Sequence, residues 1–257
     1  MLKSKLGWMA AALLCSGCSQ AGSVVGTAPA DLAMPKQIDV VFNHNARSRY
    51  RSPLTGDWRN GDDMEAWLIE AIDAANDEVL VAVQELSLPR IARALIAAEN
   101  RGVRIAVILE NSYSQAWSEQ RPSRLNQRSR QRWDQLNRLA DSNGDGSTSP
   151  EEAFHADAVA LLQAAQIPLI DDTEDGSSGS GLMHHKFLVI NQTTVITGSA
   201  NFTSSGLHGD AGRPSSRGNV NHLLRFHSPD LALVFRKEFT QMWGDGPSGG
   251  RNSRFGL

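Results

Sequence analysis

Two short apolar runs that flank one amphipathic segment constrain the fold of this chain more than any other feature. Residues Val79 to Val83 are all apolar, and Val103 to Leu109 are largely so. Runs of this length indicate strands that are buried on both faces. Between them, Ile91 to Asn100 carries apolar residues at helical spacing, and Gly102 ends the segment. A strand, a helix and a second strand in this order predict an α/β layered domain.

The other segments continue this alternation. Predicted strands are Ile38–Phe42, Ile167–Ile170, Lys186–Ile190 and Thr194–Thr197. Predicted helices are Asp62–Ala75, a helix that begins at Ser149-Pro150 and runs through Leu162, and Leu231–Trp243. The polar segment 47–60 and the Gly/Ser-rich segment 176–181 are predicted loops, and the Gly-rich end, 245–257, is a predicted flexible tail.

Composition excludes several classes of protein. The chain has 257 residues, which suits one large domain or two small ones. Its 25 Lys and Arg against 28 Asp and Glu give a formal net charge of -3. This balance excludes a uniformly basic nucleic-acid coat protein, and the apolar content excludes a disordered chain. No apolar run reaches the roughly 18 residues that a membrane span needs, so we do not expect an integral membrane protein.

The first residues are typical of an export signal. Residues 1–18 combine two early lysines, a short apolar stretch and small residues before Cys18. The alternative is an ordinary N-terminal helix. The end of this segment resembles a bacterial lipobox, although Cys15 stands where that motif prefers Leu, and it predicts a lipid anchor on Cys18. Cleavage after Ala30 would instead release a soluble protein. Residues 19–36 are a predicted flexible tether, and the protein is predicted to be exported from a bacterial cell.

A twelve-position segment in the middle of the chain has the pattern of an EF-hand calcium loop. Gly146 occupies the turn position, and a capping box follows at the start of the next helix. The predicted ligands share oxygen donors and are Asp141, Asn143, Asp145, Ser147 (through its carbonyl), Ser149 and Glu152. We therefore predict a structural or regulatory Ca²⁺ in a helix–loop–helix insertion at about 131–165. The alternative is a solvated Asp/Gly loop without metal.

Polar residues at two neighbouring predicted strands suggest a phosphate site. His184 and Lys186 alternate at the start of one strand, and Ser199 and Asn201 follow the end of the next. An imidazole can attack phosphorus, while an ammonium, a hydroxyl and an amide can hold the phosphate oxygens. A structural histidine is the alternative. The convergence of four such groups favours catalysis.

These residues carry a resemblance to the phospholipase D superfamily, whose motif reads H-x-K-x4-D followed by G-S-x-N. The match covers His184, Lys186, Gly198, Ser199 and Asn201, and the resemblance extends from about 38 to 243. It implies an α/β fold with a mixed, largely parallel sheet between helices, here a domain over 37–244. It also implies hydrolysis through a covalent phosphohistidine without a catalytic metal.

The resemblance assigns roles to the matched residues. His184 would be the nucleophile, and Lys186, Ser199 and Asn201 would hold the phosphate oxygens. Because the chain has one motif where the mechanism needs two histidines, the resemblance implies a homodimer with the site at the interface. The partner subunit's His184 would then be the general acid.

Two positions depart from the family pattern. Asn191 stands where the family has a structural Asp, and Val220 stands where single-motif relatives have a Glu that orients the histidine. Glu85 and Asp210 are candidate substitutes for that Glu. His185 is predicted to lie beneath the site. We assign no role to three further histidines, which are His208, His222 and His227 and which we expect to be surface or loop residues.

The sequence leaves the substrate open between classes. Six arginines and one acid lie between residues 121 and 138, and they are Arg121, Arg124, Arg128, Arg130, Arg132, Arg138 and Asp134. They form either a solvated helix face or a cationic surface for phosphate groups. We predict an exported phosphodiesterase that acts on phospholipid. The alternatives are a DNA or RNA endonuclease with the same chemistry and a non-catalytic, calcium-stabilised protein that binds phosphate-bearing ligands.

Overall fold

The structure is a computed structural model that describes residues 36–173, 181–210 and 218–248. The predicted signal, nearly all of the predicted tether, most of the 176–181 loop and residues 249–257 of the predicted tail lie outside these residues, as does Cys18. Within the described part of the chain, no helix is both long enough and apolar enough to cross a membrane.

The described residues contain nine strands and six α-helices. The strands are β1 (Ile38–Phe42), β2 (Arg49–Arg51), β3 (Trp58–Asn60), β4 (Glu78–Val83), β5 (Arg104–Leu109), β6 (Leu169–Asp171), β7 (Lys186–Ile190), β8 (Thr194–Gly198) and β9 (His222–His227). The helices are α1 (Met64–Asp73), α2 (Pro89–Asn100), α3 (Gln127–Ala140), α4 (Pro150–Ala156), α5 (Ala158–Ala164) and α6 (Pro229–Trp243).

Seven of the strands form one mixed sheet, in the order β1-β9-β8-β7-β4-β5-β6. The expectation of a mixed α/β sheet between helices is confirmed. The expectation that the sheet is largely parallel is wrong, because only β4–β5 and β5–β6 are parallel, and the other four pairings are antiparallel. For β7 and β8 the reason is local, because a tight turn joins these strands and such a turn can connect only antiparallel neighbours.

Apolar residues cover both faces of the sheet. Val79, Val81 and Val83 of β4 lie in a core with α1, α2 and α5, whereas Leu80 and Ala82 face a second core with α6. All six residues of β4 are buried. This confirms that the uninterrupted apolar run is a strand covered by helices on both sides.

Three elements differ from the sequence prediction. The predicted loop 47–60 contains the β2–β3 hairpin, whose three-residue strands are polar and carry no apolar alternation. β9 is a strand that the sequence did not predict. The helix predicted from Pro150 through Leu162 is broken at Asp157, because the Asp157 side chain accepts hydrogen bonds from the backbone of Val159 and Ala160 and starts α5.

The helices α3 and α4 enclose the acidic segment 141–149. The predicted capping box is present, since Ser149 Oγ accepts from the Glu152 amide and the Glu152 carboxylate accepts from the Ser149 amide. Trp117, Leu136 and Ala140 form a small separate core against which Ala153 packs. This core fixes α3 and α4 to the segment that precedes α3.

Candidate active site

The candidate residues meet at one edge of the large sheet. Val83 at the end of β4 lies opposite Lys186 at the start of β7, and Gly198 at the end of β8 lies opposite Leu223 near the start of β9. β7 and β8 are also antiparallel neighbours. Four chain segments therefore meet at this edge: those that follow β4 and β8 and those that precede β7 and β9. The motif spacing predicted this proximity for β7 and β8.

Lys186 and Asn201 share one acceptor that sequence reasoning missed. Lys186 Nζ donates to Gln84 Oε1 at 3.2 Å, and Asn201 Nδ2 donates to the same oxygen at 3.2 Å. Asn201 Oδ1 is buried and has no hydrogen-bond partner among the described residues. Gln84 is the first polar residue after the apolar run of β4, and this position was the signal available in the sequence.

The environment of Lys186 favours an anion. The residue is 7% exposed, and burial lowers the pKa of its ammonium to about 8. The ammonium also donates to the His184 carbonyl, at 2.9 Å. Within the described residues no carboxylate forms an ion pair with Lys186. A bound phosphate would place a negative charge beside the ammonium and favour its protonated form.

His184 and His185 have different surroundings. His184 is exposed, and its imidazole forms no hydrogen bond or ion pair with the described residues. His185 Nε2 lies 3.1 Å from Glu238 Oε1, and its ring packs edge-on against Phe187 at 5.3 Å. His185 therefore contacts α6, and His184 is the motif histidine that is open to a ligand.

The segment leading to His184 is held by an aspartate that the sequence analysis did not single out. The Asp172 carboxylate accepts from the Met183 amide at 3.1 Å and from the Asn111 amide at 2.9 Å. Asp172 directly follows β6, so it joins the end of that strand to the start of the motif segment. This fixes the backbone one residue before His184.

Ser199 is joined to the start of β9. Its Oγ donates to Asn221 Oδ1 at 2.8 Å and accepts from the His222 amide at 3.2 Å. Asn221 is buried, and it also bonds Asn43 and the Gly206 carbonyl. The Ser199 hydroxyl proton therefore points to Asn221, and it must turn to donate to a phosphate oxygen. Asn221 is a positioning residue for Ser199.

Two of the histidines without a predicted role have defined places. His222 Nδ1 lies 3.4 Å from Ser199 Oγ, so His222 borders the site. His208 is fully buried between Tyr50 and Glu65, with its ring nitrogens 2.9 Å from Tyr50 Oη and from Glu65 Oε2. The expectation that His208 is a surface or loop residue is wrong, because a tyrosine and a carboxylate satisfy both of its nitrogens in the core.

No acidic partner orients His184 within the described residues. Val220 is 76% exposed. The Glu85 carboxylate instead forms an ion pair of 2.7 Å with Arg132, and the Asp210 carbonyl accepts a hydrogen bond from Arg59. Among the described contacts, neither candidate substitute therefore pairs with His184.

Asn191 has the structural role that was expected of it. It lies after β7, at the end of the sheet away from His184, and its Oδ1 accepts from the amides of Asn76 and Asp77 at 3.0 Å each. Asn191 and Gln192 have φ values of 51° and 56°, and the Thr193 amide closes the turn onto the Ile190 carbonyl. This is a type I′ turn, which Asn favours at its first central position.

The acidic loop is organised by its own carboxylates. Asp141 accepts from the amides of Gly144 and Gly146, and Glu152 accepts from Ser142 and Ser149. These hydrogen bonds lower the pKa of Glu152 to about 2. Gly146 has a φ of +86°, which suits its turn position. Among the described residues, no three His, Cys, Asp or Glu side chains are grouped closely enough to hold a metal ion.

Known proteins are similar to this chain over most of its described residues. A family described as "Cardiolipin synthase, PLD-like domain" matches residues 68–243. The chain is 22% identical over 184 residues to a mitochondrial cardiolipin hydrolase of Canis lupus familiaris, covering 72% of this chain and 52% of that protein. A protein of the same name from Xenopus laevis is 24% identical over 176 residues, covering 68% and 59%. The chain thus spans a little over half the length of these curated relatives.

Solved structures with similar chains include two bacterial proteins. Nuc of Salmonella typhimurium, described as a phospholipase D family member, is 20% identical, covers 81% of this chain and 95% of its own, and has a TM-score of 0.47. NucT of Helicobacter pylori is 16% identical, covers 80% and 95%, and has a TM-score of 0.42.

Proposed function

The chain belongs to the phospholipase D-like family, and on that premise we propose that it is a phosphodiesterase that uses His184 as its nucleophile. One observation carries the proposal: Lys186 and Asn201 converge on Gln84 Oε1 beside an exposed His184 whose imidazole has no partner among the described residues. The Lys186 ammonium is buried, and no described carboxylate pairs with it. Such an ammonium, with an amide donor next to it, forms a site for an anion.

The proposed chemistry has two displacement steps. His184 attacks the phosphorus, a P–N bond forms, and the P–O bond to the leaving alcohol breaks. A general acid protonates the leaving oxygen, so the alcohol departs in its neutral form. The same group then takes a proton from water, which attacks phosphorus and breaks the P–N bond. Lys186 and Asn201 hold the non-bridging oxygens on which negative charge increases in both steps.

The general acid is proposed to come from a second copy of the chain. The described residues place no second histidine in a motif, so a homodimer would supply the partner subunit's His184 across the two-fold axis. The exposure of His184 at a sheet edge is compatible with such a shared site.

Two substrate classes are candidates. The names of the relatives, mitochondrial cardiolipin hydrolases, support phospholipid. A nucleic-acid strand is the second candidate, and a groove lined with arginine next to the site favours it. We also propose, from the sequence, that the protein is exported and carries a lipid on Cys18.

Calcium binding at the acidic loop is proposed from its twelve-position pattern. Asp141, Asp145 and Glu152 would supply hard oxygen ligands, as Ca²⁺ requires, once binding draws their carboxylates together around the ion. The carboxylates now accept backbone hydrogen bonds, so binding would exchange some of these bonds for bonds to the metal. The ion would stabilise the α3–α4 pair and takes no part in the reaction.

The test is hydrolysis of bis(p-nitrophenyl) phosphate, a small phosphodiester. We expect the wild-type chain to release p-nitrophenol and His184→Ala to lose this activity. His185→Gln is the matched control, because it removes the adjacent imidazole, which contacts Glu238, and should retain most of the activity. A wild-type rate equal to that of His184→Ala would reject the enzyme and favour a protein that only binds phosphate-bearing ligands.

A further inference from the structure

An open groove of about 780 Å³ lies beside the proposed active site. Four arginines line it, and they are Arg121, Arg124, Arg128 and Arg132. Glu119 is the single acid in its lining, and most of the other lining residues are polar. The groove therefore concentrates positive charge in a chain whose formal net charge is -3.

Three of these arginines lack partners among the described residues. Arg121, Arg124 and Arg128 are exposed, and their guanidinium groups form no ion pair or hydrogen bond within that part of the chain. Arg130, which lies on α3 but does not line the groove, instead forms an ion pair of 2.9 Å with Asp134. The groove thus presents guanidinium groups that an external anion can bind without displacing a described carboxylate.

The fourth arginine connects the groove to the catalytic residues. Arg132 Nε donates to Glu85 Oε1 at 2.7 Å, and its guanidinium lies 5.2 Å from the centre of the Tyr113 ring. Glu85 directly follows Gln84, the shared acceptor of Lys186 and Asn201. One peptide unit, about 3.8 Å, therefore separates the backbone of the catalytic cluster from the residue that holds the groove wall.

The groove wall is firmly attached to the rest of the protein. Trp133 Nε1 donates to the Trp117 carbonyl at 3.1 Å, and the two rings pack edge-on at 6.2 Å. Trp117 is 2% exposed. The arginines therefore project from a fixed helix and a fixed preceding turn, which makes the positive charge a preorganised feature.

The arrangement suits a linear polyanion. Arg128 and Arg132 are one helical turn apart, about 6 Å along α3, and Arg121 and Arg124 continue the series before the helix begins. A row of guanidinium groups matches repeated phosphates, whereas a single headgroup would engage only one or two of them. Leu125 is the one aliphatic side chain of the lining and Tyr113 its one aromatic ring, whereas the other lining residues are polar or charged.

We propose that this groove binds the phosphates of a polynucleotide strand next to the scissile phosphate held at Lys186 and Asn201. The inference rests on the proposed phosphodiesterase function and names its substrate class. Arginine–phosphate contacts position a strand independently of its sequence, and they make binding depend on salt. The groove would thus set the register of cleavage without base preference.

Binding is tested first, without turnover. The His184→Ala chain is titrated against a short fluorescein-labelled oligothymidylate by anisotropy. Adding Arg121→Gln and Arg128→Gln should weaken binding at least about tenfold. The same pair should make the slope of log K against log salt less negative by about 1.4, or about 0.7 for each phosphate that an arginine no longer neutralises. Arg138→Gln, an exposed α3 arginine outside the groove, is the matched control and should bind like the parent protein.

Hydrolysis then separates this inference from the proposed function. In the otherwise wild-type chain, the Arg121→Gln/Arg128→Gln pair should lower kcat/KM for the oligonucleotide about tenfold more than for bis(p-nitrophenyl) phosphate, which has no flanking phosphate. Failure of the wild type to cleave the small ester rejects the proposed function, but the binding result still decides the groove. Equal oligonucleotide affinity of groove variants and parent overturns the inference. Groove-dependent binding of phosphatidylglycerol vesicles without oligonucleotide binding also overturns it.

Discussion

Lys186 and Asn201 donate hydrogen bonds to the same atom, Gln84 Oε1, each at 3.2 Å. The neutral amide of Gln84 holds both donors at the sheet edge without neutralising the ammonium. A carboxylate at this position would pair with Lys186 and compete with a phosphate. A glutamine at this position therefore leaves the positive charge of Lys186 unpaired while it fixes the positions of the two donors.

Gln84→Glu should weaken substrate binding. The new carboxylate would form an ion pair with Lys186, so KM for bis(p-nitrophenyl) phosphate should rise about tenfold while the fold is retained. Steady-state kinetics measure this effect. Gln84→Met, which has a similar size and no charge, is the control, and it should raise KM less. An unchanged KM for Gln84→Glu would show that Gln84 does not position the donors.

The pH dependence should report Lys186. Its pKa of about 8 lies below the ordinary value because of burial, so the ammonium loses its proton as the pH rises through about 8. Binding of an anionic substrate should weaken over that range, and kcat/KM should fall above about pH 8. Lys186→Arg stays protonated, so its alkaline fall should disappear even if its rate is lower. The same fall in both proteins would assign it to another group.

Sequence patterns predicted the three candidate site residues better than the residues that support them. His184, Lys186 and Asn201 lie around two adjacent strands, so their spacing along the chain translates directly into proximity. Gln84 lies 102 residues from Lys186, and its contact depends on the pairing of β4 with β7, which no local pattern specifies. Asn221 is the neighbour of Val220 in the segment that the family resemblance aligns, but its contact with Ser199 depends on the pairing of β8 with β9, and β9 has no clear alternation of apolar and polar residues.

The same contrast holds for the fold. The apolar runs of β4 and β5 predicted two central strands and the helix between them, because complete burial leaves a composition signal. The orientation of β7 to β9 was not predictable from composition, since burial does not depend on strand direction. The pair β2–β3 carries only one buried side chain, Arg59, and therefore no apolar pattern.

Val220→Glu should increase activity. The exposed Val220 can be replaced without loss of packing, and the family resemblance places a histidine-orienting glutamate at this position. An acidic partner would orient the imidazole of His184 and stabilise its positive charge, so kcat should rise by about tenfold. Val220→Gln is the uncharged control and should remain near the wild-type rate. A decrease in kcat for Val220→Glu with the fold intact would contradict the assignment.

Calcium should raise the melting temperature through the acidic loop. If Ca²⁺ binds at Asp141 to Glu152, a concentration of 100 times Kd would stabilise the bound fold by about 2.7 kcal/mol. Differential scanning fluorimetry with calcium and with a chelator measures this shift. Glu152→Gln should abolish it, whereas Glu151→Gln, which changes the neighbouring exposed acid, should not. Equal melting temperatures in both conditions would reject the site.

The most direct test of the proposed mechanism is to trap the covalent intermediate. Wild-type chain mixed rapidly with a phosphodiester and quenched under alkaline conditions, in which phosphohistidine survives, is digested and measured by mass spectrometry. The mechanism predicts a phosphoryl adduct on His184, absent from His184→Ala and retained in His185→Gln. Turnover with an adduct on a residue other than His184, or with no adduct while His184→Ala remains active, would contradict it.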